Sequence, residues 1–110
     1  MKRFHIAISV ASVEESVDDY TTRLGCAPTH VVAGEYALWR TDTLNFSIRR
    51  DKNPGTLRHV GWEDPAAASF SKEADVNGIT WERFSEAAQK KEIEELWPSG
   101  SERNPCGGPK

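Results

Sequence analysis

From Phe4 to Val10 the bulky residues Phe4, Ile6, Ile8 and Val10 alternate with His5, Ala7 and Ser9, a period of two that predicts a β-strand. One face of that strand is expected to pack and the other, carrying His5, to stay open. Ser12 followed by Glu15 has the form of a capping box, and Val13, Val17, Tyr20 and Leu24 recur at helical spacing up to Gly25, so the next element is a helix. Strands are predicted at His30 to Val32, Tyr36 to Arg40 and Leu44 to Arg49, separated by turn residues around Gly34 and Asp42. This first unit reads as βαβββ. A polar hinge from Asp51 to Gly55 leads to a strand at Leu57 to Glu63, a helix from Pro65 to Val76 and a strand at Ile79 to Phe84. Ser85 to Trp97, rich in Ala, Gln, Lys and Glu, reads as a helix capped by Ser85 and stopped by Pro98 and Gly100.

The two halves echo one another. Phe4-His5-Ile6-Ala7-Ile8-Ser9-Val10 corresponds to Arg58-His59-Val60-Gly61-Trp62-Glu63-Asp64, and each is followed by a helix-like stretch ending at a glycine, Gly25 or Gly78. Such a repeat pairs two similar units in one domain. It also sets one histidine at the same point of each unit, which is how a duplicated fold brings two imidazoles together.

At 110 residues the chain is the size of one small domain. The expected division is a single domain over 1–100, with unit one at 4–50 and unit two at 57–97, and a flexible tail over 101–110 that is too rich in glycine and proline to pack. With 37% hydrophobic and 28% charged residues and a net charge of -3, the composition is that of a globular protein, without the basic stripe of a nucleic-acid binder. No apolar run approaches the roughly 20 residues that span a bilayer, so a cytoplasmic location without membrane contact is expected. Cys26 and Cys106 are far apart in sequence and form no paired-thiol motif, which predicts two free thiols.

The segments HIAISVASVEESVDDY…LGC, YALW…LNFSI and PG.LRHVGWED resemble the vicinal oxygen chelate superfamily of glyoxalases, extradiol dioxygenases and bleomycin or fosfomycin resistance proteins, over about Phe4 to Phe84. The YALW…LNFSI…HVG portion is similar to its small arsenic- and cadmium-associated branch. The resemblance implies an α+β fold in which two βαβββ modules form an open cup around a divalent metal, here with the second unit shortened and finished by a helix. It implies His5 and His59 as metal ligands, and a homodimer. Leu44 to Ile48 offers no carboxylate, which suits the branches with three protein ligands. The family's second module usually closes with a DPDG-type turn and an apolar-Glu-apolar strand. The nearest match to that strand is Ile93-Glu94-Glu95-Leu96-Trp97, which makes Glu94, ahead of Glu95, the expected third ligand if the segment is a strand.

Two imidazoles and a carboxylate with open coordination positions suit Fe(II), Mn(II), Zn(II) or Ni(II). The plainer alternative is that His5 and His59 line a polar groove or hydrogen-bond within the sheet. Glu63, aligned with Ser9 and on the same strand face as His59, is a candidate general base, or else a solvated strand-end carboxylate. Three functions stay open. One is a metal-dependent enzyme, a lyase or dioxygenase, acting on a small oxygen-chelating molecule. The others are a non-catalytic, resistance-type binder of a small molecule and an interaction module whose terminal helix docks on a partner. His30 is expected at the surface, and the four tryptophans in the core or lining the cup.

Overall fold

The structure is a computed structural model that describes residues 1–98 and 100–102. The chain forms β1 (Arg3–Val10), α1 (Val13–Leu24), β2 (His30–Val32), β3 (Tyr36–Arg40), β4 (Leu44–Arg50), β5 (Leu57–Glu63), β6 (Ser71–Ala74), β7 (Thr80–Phe84), α2 (Glu86–Leu96) and the two-residue β8 (Ser101–Glu102). The strands make one curved mixed sheet in the order β6-β7-β5-β1-β4-β3-β2-β8. Within the first unit β1 pairs parallel with β4; within the second, β5 pairs parallel with β7. The antiparallel pairing of β1 with β5 joins the units at the centre. This is the α+β arrangement of two βαβββ-like units, the second shortened and ending in a helix.

Local chemistry accounts for both helices. Ser12 accepts a hydrogen bond from the Glu15 backbone N–H at 3.2 Å, and Gly25 takes the left-handed conformation at φ 82° that closes α1. Ser85 caps α2 in the same way through the Ala88 N–H. α1 covers the outer face of the first unit, where Val10, Val13, Ala37, Trp39 and Ile48 form a buried cluster with Tyr20, Leu24 and Phe46 against it. α2 lies on the opposite, concave face, where Ile93 packs with Val32, Tyr36 and Leu38.

The helix expected over Pro65 to Val76 does not form. Asp64 instead makes a turn, its Oδ1 accepting from the Ala66 N–H at 2.9 Å, and the chain returns as β6 along the edge of β7. Beyond small alanines that stretch holds only Phe70 and Val76 as large apolar residues, too few for a helix to bury a face. Phe70 stacks on the buried Phe84 at 5.0 Å, and this contact draws the segment onto the sheet. β6 itself, Ser71-Lys72-Glu73-Ala74, is exposed throughout and carries the charges that keep a sheet edge from pairing further.

The bulky face of β1 packs as expected only in its second half, where Val10 is buried in the α1 cluster with Ile8 against it, while Phe4 and Ile6 are only partly covered. On the other face His5, Ala7 and Ser9 are buried more deeply than expected, with His5 lining the cavity under α2. The missing second-unit helix explains the partial cover of Phe4 and Ile6, because among the described residues no helix overlies the outer face of β5 and β7. There Phe4 makes edge contacts with Trp62 and Trp81, and Trp62 is 38% exposed. His30, expected at the surface, is buried at the start of β2. Cys26 is disulfide-bonded and not a free thiol. Cys106, and the expected tail beyond Glu102, lie outside the described residues.

Ile93→Ala is expected to cost about 2–4 kcal/mol, because it removes the apolar anchor of α2 from the concave face. Urea unfolding followed by tryptophan fluorescence measures it; a loss below about 0.5 kcal/mol would show that α2 does not depend on that contact.

Candidate metal centre

His5 and His59 meet because of the register at the centre of the sheet. His5 is opposite Gly61 and Ala7 opposite His59 on the antiparallel pair, so both histidines occupy the concave face on adjoining strands. Their ring centroids are 4.9 Å apart and their Nε2 atoms 2.9 Å apart. Glu82 of β7 joins them, with Oε1 3.2 Å from His59 Nε2. One ligand atom from each of His5, His59 and Glu82 lies within 4.8 Å of the others.

Glu82 is the residue that sequence reasoning missed, although its signal is present. Asp75-Val76-Asn77-Gly78 resembles the DPDG-type turn, and Ile79-Thr80-Trp81-Glu82 comes directly after it. Asp75 holds this turn by accepting from the backbone N–H groups of Asn77 and Ile79 and from Trp81 Nε1, at 2.8, 2.9 and 2.8 Å. Gly78 supplies the positive φ of 78° that the turn needs. Glu82 pairs with Gly61, two residues after His59, just as Ser47 pairs with Ala7, two residues after His5. Ser47 is therefore the counterpart of Glu82 in the first unit and leaves that side of the cluster without a second carboxylate.

Glu94 does not join the cluster. Residues 86–96 are helical with Gln89 and Ile93 turned inward, and both Glu94 and Glu95 are exposed on the other side of α2. As third member of the cluster Glu94 gives way to Glu82.

Glu63 is buried nearby, but its oxygens are engaged. Arg40 binds it through two nitrogens, each at 2.9 Å, Arg3 donates at 2.8 Å, and Asn45 Nδ2 donates at 2.8 Å. Burial alone would raise this carboxyl, yet the Arg40 and Asn45 hydrogen bonds and the charges of Arg40 and Arg3 hold it below the usual carboxylate range. A carboxylate so paired is a poor proton acceptor, and its geometry is that of a support. Asn45 links it to the cluster by accepting from His5 Nδ1 at 2.8 Å.

That link sets the His5 tautomer. Nδ1 also lies 3.1 Å from the Asn45 backbone carbonyl, which can only accept, so Nδ1 carries the proton and Nε2 presents a bare lone pair. Gln89 of α2 completes the brace by exchanging two amide hydrogen bonds with Asn45, at 2.7 and 3.2 Å.

Burial lowers the His5 pKa, partly offset by its bonds to Asn45. His59 is pushed down to about 4 by burial, with the neighbouring His5, Arg58 and Lys72 adding to the effect. Burial, with Glu92 nearby, raises Glu82. Neutral imidazoles are the form that binds metal. One proton on His59 Nε2 can serve either His5 or Glu82, whereas a divalent cation serves all three lone pairs together. Two ligand atoms each about 2.1 Å from a shared ion and at right angles to one another lie about 3 Å apart, close to the spacing of the two imidazole nitrogens. The donor set fits a divalent transition metal.

A cavity of about 150 Å³ opens over the cluster, lined also by Tyr36, Ser47, Arg49, Arg58, Phe84 and Trp97. The curved mixed sheet and the two-histidine, one-carboxylate cluster are consistent with the fold class of the vicinal oxygen chelate superfamily. No family model matches the chain, and no curated protein matches it.

Gly61 allows β5 and β7 to approach, since a Cβ there would lie 1.9 Å from the Glu82 carbonyl oxygen. Gly61→Ala is expected to destabilise the fold by roughly 1–3 kcal/mol, read from thermal unfolding, because the backbone bearing Glu82 must shift. For the metal-free protein, the depressed His59 pKa means that the unfolded chain binds more protons between about pH 4 and 6.5. Stability from this group is thus complete above pH 6.5 and falls as pH drops toward 4. An imidazole NMR titration should put the His59 midpoint near 4, and an ordinary midpoint near 6.5 would contradict the buried, charge-crowded environment.

Proposed function

We propose that the protein binds one divalent metal through His5, His59 and Glu82 and uses it to hold a small molecule by adjacent oxygen atoms. The observation that carries this reading is the convergence of His5 Nε2, His59 Nε2 and Glu82 Oε1 at the floor of a cavity. Fe, Mn, Zn and Ni all suit two neutral imidazoles and one carboxylate. Such an ion supplies Lewis acidity to a bound oxygen. The chain's own contribution is to orient His5 through Asn45, Glu63 and Gln89 and to wall one side of the cavity with α2.

The favoured activity is that of a metal-dependent enzyme, a lyase or dioxygenase in the manner of the vicinal oxygen chelate superfamily. The YALW…LNFSI…HVG motifs support its small arsenic- and cadmium-associated branch. A second reading, a resistance-type protein that holds its ligand without turnover, is favoured by one observation: Glu63 is committed to Arg3 and Arg40 and is not a free base. Burial also raises the Tyr36 phenol far above its usual range, which makes it a weak acid here. A homodimer through the uncovered outer face around Trp62 and Trp81 belongs to the same proposal, with sedimentation as its test. So does a cytoplasmic setting; a Cys26 disulfide that survives in alkylated cell lysate would point to an oxidising compartment.

Metal analysis of untagged protein should find about one divalent ion per chain. His5→Ala, His59→Ala and Glu82→Gln are expected to lose it while keeping their circular dichroism, whereas Glu94→Gln keeps it. Asn45→Ala should weaken metal binding by about 10- to 100-fold, because the His5 tautomer is no longer held. Wild-type protein that takes up no metal under replete conditions would rule the reading out.

A further inference from the structure

Two guanidiniums in the cavity are not used by the metal reading. Arg49 of β4 and Arg58 of β5 both line it, and among the described residues neither has an ion-pair partner within salt-bridge distance. Arg58 owes its place to a bulge. The register passes from Ala7 opposite His59 directly to Ile8 opposite Leu57, so Arg58 is the extra residue. Simple alternation would put it on the face opposite its neighbour His59; the irregularity turns it into the same cavity. Arg49 lies over the Trp97 ring at 5.2 Å, and Trp97 is itself stacked on Tyr36 at 4.7 Å. A guanidinium held over a ring keeps its in-plane N–H donors for another partner.

Burial and the nearby Arg49 both weigh against the charged form of Arg58, and the more distant carboxylates of Glu82 and Asp51 offset them only in part. Two like charges brought together in a partly buried site, with no carboxylate among the described residues within ion-pair distance of either, form an arrangement that an anion relieves. The charge balance points the same way. Arg49 and Arg58 cancel the other charged groups lining the cavity, Glu82 and Glu92, so a divalent ion leaves two positive charges in excess. At about 150 Å³ the space suits a molecule well below drug size.

We propose that Arg49 and Arg58 form an oxyanion-recognition site, so that the ligand of this cup is a small acid whose carboxylate or phosphoryl group is held by the two guanidiniums. This deepens the metal reading and rests on it for the chelating half of the ligand. The arginine pair itself can be tested without metal.

Calorimetric titration of the full-length chain with inorganic phosphate and with oxalate, in metal-free and Mn(II)-loaded forms, tests the inference. Wild type should bind at least one of them, and Arg49→Gln and Arg58→Gln should each weaken that binding by about tenfold or more. Arg58→Lys, which keeps the charge but loses the fork, should fall between, and Arg50→Gln should match wild type. Tighter binding of phosphate assigns a phosphoryl group, and tighter binding of oxalate a carboxylate. Metal uptake by the variants, measured in parallel, separates the two readings. Arginine-dependent anion binding in a protein that takes up no metal keeps this inference and removes the metal. Metal uptake with anion affinities unchanged within twofold in both Gln variants overturns this inference alone, as does wild type that binds neither anion at millimolar concentration.

Discussion

The buried amide of Asn45 is the joint on which the site depends. It is fully buried and uses its hydrogen-bonding capacity in four directions: Oδ1 accepts from His5 and Gln89, and Nδ2 donates to Glu63 and Gln89. Through these bonds one side chain on β4 ties together β1, β5 and α2. Buried polar groups are costly when left unmade and specific when satisfied, so this network defines one arrangement of the concave face. Glu63 is tolerable at 2% exposure only because Arg3 and Arg40 neutralise it. The orientation of His5 is therefore set by charges that never reach the cavity.

In the second half of the chain the repeat has lost its covering helix. Among the described residues no helix lies over the outer face of β5 and β7, so Trp62 is exposed and Trp81 only partly covered, while the concave side of the second unit carries its buried residues Gly61, Glu63 and Phe84. α2 takes over the covering role there, with Ile93 in the apolar cluster and Gln89 in the polar one. The same helix that narrows the cup to a small cavity also braces the cluster of His5, His59 and Glu82 through Gln89 and Asn45. A β-bulge at Arg58 then adds charge beside the imidazoles, where an unbroken strand would have turned that side chain away.

Much of the site was legible before folding was considered. The alternation through His5, the matching histidine at 59 and the capping serines at 12 and 85 are local signals, and the elements they announce form with nearly the expected bounds. Glu82 was readable too, from the Asp75–Gly78 turn, but assuming a helix over Pro65 to Val76 made its strand look like an inner one. That reading moves the last strand of the unit too far along, to Glu94. Alanine-rich composition favours a helix only weakly, and the Phe70–Phe84 stack outweighs it.

What the amino-acid sequence determined by itself was the duplicated pattern, and with it the pairing of two imidazoles on one sheet face, because strand periodicity and register are consequences of residue order. Tertiary structure decided the rest: which carboxylate joins them, how deeply the His5 face of β1 is buried, and where Glu63, Arg49 and Arg58 lie relative to the pair. Those outcomes depend on contacts between residues far apart in the chain, where packing and charge pairing across strands override local propensity.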